Sequence, residues 1–285
     1  MKKHLLISFL TACLLMNCTK KKDDNKDSVT LLALLALSSS SCTTSFGAGV
    51  PDWIKNSFTC VTVSVSGSNY VFKTTSVPTY KSVYWGSTSS LYESSLYTNS
   101  SGKNSANPNL IKSQNITLTV PMNNTSTSAP ASSFGAIGVS TNGIVIYNDQ
   151  AAPGDSLSTE YYTFDTSQGH PTNTGAYHYH VEPPKLTNND SNLVGIALDG
   201  YLIFGKKHDD TANGTSGFSL GGANSTTQCN LSGKTTSVPT SWTQAANYNS
   251  TKTSSTAYHY HVNNGSEVNG IILSGKYIGT AGTSQ

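Results

Sequence analysis

The histidines carry the clearest chemical signal in this chain. There are seven among 285 residues. His178 and His180 sit in Tyr177-His178-Tyr179-His180, and His259 and His261 sit in Tyr258-His259-Tyr260-His261. In a β-strand, residues two apart point to the same face. Each motif therefore offers two imidazoles on one side and two Tyr on the other. If the two motif strands are neighbours, four imidazoles converge. His170, between Gly169 and Pro171, can reach the same place from a loop. An all-imidazole set suits a transition metal, Zn or Cu first, and three imidazoles with an open position could activate water. Asp165 or Asp199 could orient a ligand imidazole from behind. The bland alternative is polar packing, because Tyr alternating with His also suits a half-buried strand without a metal. The motif's recurrence, with His170 close by, favours the metal. His4 and His208 lie apart from this set.

Other chemistry is less defined. There is no Gly-x-Ser-x-Gly elbow, Walker-type loop or GxGxxG. Asp155, Glu160, Asp165 and Glu182 are candidate paired carboxylates. Ser is so frequent that a Ser–His nucleophile is neither picked out nor excluded. Cys42, Cys60 and Cys229 remain beyond the N-terminal Cys13 and Cys18. Three Cys in an oxidising compartment allow one disulfide and one free thiol. Cys60–Cys229 is the expected pair, with Cys42 in a tether, and three thiols are the alternative.

Strands must position these residues. Cys60 to Val65 alternates apolar and polar residues, meets Ser66-Gly67-Ser68-Asn69 and resumes at Tyr70, as a hairpin does. Ile116 to Val120 alternates again before Pro121. Three segments repeat a strand–turn–strand unit: Gly138 to Tyr147 around Asn142-Gly143, Gly195 to Gly205 around Asp199-Gly200, and Gly270 to Gly279 around Ser274-Gly275. Asn-Gly and Asp-Gly predict two-residue turns with both positions at positive φ. The expected fold is all-β, an antiparallel β-sandwich-like domain with duplicated strand-hairpin units over residues 46–285.

The chain carries 17 basic residues, all Lys, against 15 acidic ones. So weak a positive field, with no guanidinium, excludes a nucleic-acid binder. Lys2 and Lys3 precede an apolar run from Leu5 to Met16 that ends at Asn17-Cys18. The run suits a signal peptide and is too short to span a bilayer. A Cys at that point resembles a lipoprotein signal of the relaxed kind found in spirochaetes. The expectation is a signal over 1–17, a lipid on Cys18 (Cys13 being the alternative), a tether over 18–45, and the cell envelope as location. The membrane, reached through that anchor, is the expected partner.

The spaced set Phe134-Gly135, Asn142-Gly143, Asp165, Gly169-His170-Pro171, Tyr177 to His180, Asp199-Gly200, Cys229-Asn230 and Tyr258 to His261 resembles the bacterial YHYH-motif protein family over about residues 134–262. The resemblance implies an exported, β-rich protein and supplies no reaction. Members often carry a Cys where this chain has Ser167, which leaves Cys60 or Cys42 as the partner for Cys229. The leading functional expectation is an exported lipoprotein that binds a metal through His178, His180, His259 and His261, with His170 as a possible fifth ligand. The rivals are a metal- or His-dependent hydrolase or oxidase, and a surface adhesin.

Overall fold

The computed structural model describes residues 42–99, 101–122, 131–152, 155–184, 186, 193–204, 260–261, 277 and 279–285. The expected signal, Cys13, Cys18, Cys229, His208, His259 and the Ser274-Gly275 turn lie outside these residues. Phe204 and His261 are described by their strand positions alone. A compact unit runs from Ser40 to Gln285.

Two β-sheets build this unit. The first has the order β1 (Ser45–Phe46), β2 (Thr62–Ser66), β3 (Asn69–Thr74), β4 (Ile116–Pro121) and β12 (Thr283–Ser284). The second has the order β11 (Tyr260–His261), β10 (Leu202–Phe204), β9 (Leu193–Ala197), β5 (Gly138–Ser140), β6 (Val145–Ile146), β8 (Tyr177–Tyr179) and β7 (Gly169–Pro171). Helices are short: α1 (Asp52–Ser57), α2 (Leu157–Glu160) and two 3-10 turns, Val83–Trp85 and Tyr161–Thr163. No helix among the described residues is long and apolar enough to cross a membrane.

The all-β expectation holds, but the sheets are mixed rather than antiparallel. β1 and β2, β6 and β8, and β10 and β11 pair in parallel. The reason matters for the site. Parallel neighbours cannot be joined by a tight turn and need a long crossover. Residues 147–176 are the crossover from β6 to β8, and they carry Asp155, Glu160, Asp165 and His170.

Strand alternation sets the first sheet. Val63, Phe72, Leu118 and Val120 are fully buried on its inner face. The second sheet is buried along β5 to β9. Leu193 to Ala197 accordingly reads as a continuous apolar run, as strands covered on both faces do. One hydrophobic cluster joins the inner residues of both sheets. A second cluster of Ala151, Leu157, Tyr161, Phe164 and Val181 lies under the crossover.

The hairpins correct a second expectation. In the β5–β6 turn the Ser140 amide donates to the Ile144 carbonyl at 2.9 Å, and the Gly143 amide donates to the Ser140 carbonyl at 2.9 Å. The same pattern closes Ala197 to Tyr201 and Thr172 to Ala176. These are three-residue loops in which one residue is left-handed. Gly143, Gly200 and Gly175 take positive φ, while Asn142 and Asp199 do not. The Asp199 carboxylate instead accepts from the Tyr201 amide at 3.2 Å, a local bond that favours the turn. Among the described hairpins only Ser66–Asn69 closes with two turn residues.

The two described hairpins meet across β5 and β9, where Val139 faces Ile196, Gly138 faces Ala197 and Ser140 faces Gly195. The first three places of the two sequence units pair in reverse order, first with third and second with second. Such a register places a local two-fold axis through the Val139–Ile196 pair. Outward from the axis, Ile146 pairs with Tyr179 and Ile203 with Tyr260. Equivalent residues therefore meet equivalent Tyr.

The disulfide is a third correction. Cys60 is bonded to Cys42, with 4.8 Å between their Cα atoms, and not to Cys229. Cys42 is in reach because β1 lies beside β2. The segment read as the end of the tether is thus pinned to the folded unit. In the loop-entropy account, closing a loop of this length contributes about 3 kcal/mol.

Gly143 has φ +80°, and a Cβ there would lie 2.5 Å from the Cys60 carbonyl oxygen. Gly67 has φ +57° with nothing near its missing Cβ. Gly143→Ala is therefore expected to destabilise by about 2–4 kcal/mol, backbone strain plus overpacking. Gly67→Ala is expected to cost only the strain, about 1–2 kcal/mol. Urea midpoints of the two variants check this, and equal losses would count against the packing argument.

Candidate metal centre

β7 and β8 place three imidazoles together. His170 lies directly opposite His178 in their antiparallel register. His180 follows two residues on and points the same way. All three side chains are buried. Each contributes a ring nitrogen to a group whose atoms lie within 4.8 Å of one another. The Nε2 atoms of His178 and His180 are 3.0 Å apart.

Their tautomers follow from their neighbours. His178 Nδ1 is 3.0 Å from the Ala176 carbonyl, and His180 Nδ1 is 2.6 Å from the Asn148 carbonyl. A carbonyl only accepts, so each Nδ1 carries hydrogen. His170 Nδ1 is 2.7 Å from Thr163 Oγ1, whose own hydrogen goes to the Glu160 carbonyl at 2.7 Å. His170 Nδ1 therefore donates as well. Each neutral ring then presents a bare Nε2 lone pair. A hydrogen between His178 and His180 would require an imidazolium. Burial and the neighbouring imidazoles hold His170 and His178 well below the usual imidazole range. Burial lowers His180 to about 4.

Rings hold the set in place. Tyr147 stacks on His178 at 4.0 Å between centroids. Phe164 meets His170 edge-on at 4.9 Å and lies parallel to His180 at 6.1 Å. His178 and His180 open onto a cleft of about 610 Å³ that Tyr147, Glu160, Asp155, Thr163 and Phe134 also line. Glu160 Oε1 is 3.8 Å from His170 Nε2. Burial, with the charge of Asp155, raises the Glu160 carboxyl above its ordinary range.

The Tyr face of β8 does different work. Tyr177 donates to Asp165 Oδ2 at 2.7 Å, and Ser82 donates to the same oxygen at 2.5 Å. The amides of Ser167 and Gly169 donate to Oδ1 at 2.8 and 3.2 Å. Tyr80 bonds the Tyr179 hydroxyl, which also accepts from Asn142 Nδ2 at 3.1 Å. Gly169 is small because a Cβ would collide with the Tyr177 ring. Burial pushes Asp165 upward, against the pull of these hydrogen bonds.

These contacts sort the residues expected from sequence. His170, His178 and His180 come together. β8 and β11 lie at opposite ends of the second sheet, separated in the order β8-β6-β5-β9-β10-β11. Five steps of about 4.8 Å put β11 roughly 24 Å from β8. The strand position of His261 is therefore remote from His178 and His180, and His259 lies outside the described residues. Asp165 and Asp199 do not orient these imidazoles. The Nδ1 atoms go to Ala176, Asn148 and Thr163, while Asp165 binds Tyr177 and Asp199 accepts from Tyr260 at 2.6 Å. Nothing in the sequence signalled Thr163. Asn148 and Ala176 act through their carbonyls, so their residue types carry no mark of the role.

Residues 115–251 match the family model described as YHYH protein. The chain thus carries a YHYH domain over that region. The match starts earlier than the resemblance read from the sequence, taking in β4, and ends before the second Tyr-His-Tyr-His motif. No curated protein and no solved structure gives a match. The YHYH region alone does not complete the site, since Ser82 and Tyr80 reach its Tyr face from outside.

The lowered imidazole pKa values have a sign. The folded metal-free protein keeps these rings neutral, while the unfolded chain protonates them near pH 6.5. Unfolding then takes up protons, so stability is full above about pH 6.5 and is lost as pH falls toward the folded values. For His180, lowered to about 4, the loss from pH 7 to pH 5 is on the order of 2 kcal/mol. Asp165 runs the other way. Its raised pKa adds stability at acid pH that is lost as pH rises through the carboxylate range. Urea unfolding of metal-free protein at pH 7 and pH 5 checks the balance. A flat profile would contradict buried neutral imidazoles.

Proposed function

We propose that this protein is exported, anchored to the cell envelope by a lipid, and binds one divalent transition ion through His170, His178 and His180. The observation that carries the metal reading is the convergence of three buried imidazoles whose Nδ1 hydrogens are already committed. Bare lone pairs 3.0 Å apart repel unless a cation lies between them. Zn–N bonds of about 2.0–2.1 Å in a tetrahedral site place ligand nitrogens at about that spacing. Zn is the first expectation and Cu the second.

Export is supported by the charged and apolar pattern of residues 2–16 and by the Cys42–Cys60 disulfide, a bond that persists in oxidising compartments. The acyl chains would sit on Cys18. Duplication of the hairpin units is supported by their two-fold register at Val139 and Ile196.

A second reading, catalysis, is favoured by the cleft. It brings Glu160 and Asp155 to the same opening as His178 and His180. A bound ion would supply Lewis acidity to a ligand entering there. Among the described residues no Lys lines the opening, while Asn107, Asn109, Gln150 and Asn173 do, which suits neutral polar substrates over phosphate esters. Conversion of neutral esters, amides or glycosides by the metal-loaded protein, compared with metal-free protein, tests this reading. Equal rates would end it.

Two experiments test the main reading. Protein refolded with Zn is expected to retain about one ion per chain, and a His178→Ala/His180→Ala variant none. Equal metal content in both would sink the proposal. In detergent phase partition of whole-cell extract, the native chain is expected in the detergent phase and Cys18→Ser in the aqueous phase. Retention of Cys18→Ser in detergent, with loss on Cys13→Ser, would move the anchor to Cys13.

A further inference from the structure

The three imidazoles leave the centre one protein ligand short of a closed set, and a carboxylate stands at the gap. Glu160 Oε2 is buried and has no hydrogen-bond partner. His170 Nε2, on a side chain only 1% exposed, has none either. Glu160 Oε1 and His170 Nε2 are 3.8 Å apart, beyond hydrogen-bond range. His170 Nε2 carries a lone pair, because its Nδ1 holds the hydrogen against Thr163. A carboxylate oxygen, Oε1, and an imidazole lone pair therefore face each other too far apart to hydrogen-bond, and the unmet atoms are His170 Nε2 and the other carboxylate oxygen, Oε2. Both are costly to leave buried and unmet.

We infer that Glu160 is the fourth protein ligand of the centre, making it a three-imidazole, one-carboxylate site for a divalent first-row ion. Metal–nitrogen and metal–oxygen bonds of about 2.0–2.2 Å span gaps of the observed kind. Ligand atoms around one tetrahedral ion lie about 3.3 Å apart at those bond lengths; His178 and His180 at 3.0 Å and His170 and Glu160 at 3.8 Å are near that spacing, and the imidazole nitrogens, grouped within 4.8 Å, draw in around the ion.

Local structure explains how the carboxylate gets there. Glu160 ends α2, and the following 3-10 turn carries Thr163. Residues three apart share a helical face. The segment thus delivers the ligand, Glu160, and the group that orients another ligand, Thr163, to the same ring. The chain binds the two further, since Thr163 Oγ1 donates to the Glu160 carbonyl. Glu160, His178 and His180 all line the cleft, so any remaining coordination position faces it. A small exogenous ligand entering there would be a fifth ligand, expanding the four-ligand set. The carboxylate also narrows the ion. An oxygen donor with three imidazoles suits Zn(II), Fe(II) or Mn(II), and disfavours Cu(I), which seeks sulfur.

This inference rests on the three-imidazole reading, and the test separates the two. Native protein, Glu160→Gln, Glu160→Asp and Asp155→Asn are loaded with Co(II). Asp155 lines the same cleft but is not a ligand in this assignment. Native protein is expected to bind Co(II) with visible d–d bands. Glu160→Gln is expected to shift those bands and weaken Co(II) binding by at least about 10-fold. Glu160→Asp, shorter by one methylene, is expected to keep Co(II) with shifted bands. Asp155→Asn, which removes a charge near Glu160 without removing a ligand, is expected to keep the native bands. Bands and affinity unchanged in Glu160→Gln would overturn the fourth ligand while leaving the imidazoles in place. No Co(II) bound by native protein would overturn both readings. Should Glu160→Gln not fold, the Glu160→Asp spectrum decides, with native-like bands overturning the assignment.

Discussion

Three N–H groups set the character of the centre. The Nδ1 hydrogens of His170, His178 and His180 are held by Thr163 Oγ1, the Ala176 carbonyl and the Asn148 carbonyl. Each bond is modest alone, about 1 kcal/mol net. Together they fix the tautomer and the rotation of every ring. The same environment, dry and crowded with like groups, keeps the rings uncharged. A protein that only needed polar filler there would let at least one ring turn its second nitrogen to a donor. Here all three second nitrogens face one another. The fold supplies the geometry through the β6–β8 crossover, which brings His170 back alongside its own sequel as β7.

The opposite face of β8 is what keeps that geometry still. Asp165 is a buried carboxylate, and desolvating it costs several kcal/mol. It accepts from two hydroxyls and two amides, and bonds to a charged acceptor contribute about 1.5–3 kcal/mol each. The cost and the return are of the same size, so the carboxylate is better read as a positional pin than as a source of net stability. It ties the turn before β7 to the Tyr of β8 and to Ser82 of the first sheet's connection. The alternation of Tyr and His thus divides one strand into an anchoring side and a chemical side.

The sequence made the site half legible, for reasons that can be named. His178 and His180 were readable because strand geometry is local and its period is two. His170 was readable because it lies close in sequence, although it arrives on a strand, β7, and not from the loop expected. Convergence of His178 with His261 was not, since strand order is a long-range property. The motif strands repeat in sequence, yet four strands stand between them. The disulfide failed for the same reason, since β1 pairing beside β2 could not be read from two residues, Ser45 and Phe46. The turns failed differently. Asn-Gly and Asp-Gly marked the right places but not the loop length, because one left-handed Gly suffices once the preceding residue stays right-handed. Glu160 was visible as one carboxylate among several. Only its place beside His170, with one carboxylate oxygen 3.8 Å from Nε2 and the other unmet, singles it out.

The axis through Val139 and Ile196 has a consequence for how such a site can be specialised. Two identical halves meeting on an axis, as in a symmetric dimer of separate chains, must carry every residue twice. Here both halves lie in one chain, and each position is free to change alone. Asn142 donates to the hydroxyl of Tyr179, while its counterpart Asp199 accepts from that of Tyr260. His170 stands eight residues before His178, and the corresponding place before His259 holds Thr251. At that sequence position only the first motif carries an imidazole. Covalent linkage thus leaves the two ends of one sheet free to diverge residue by residue.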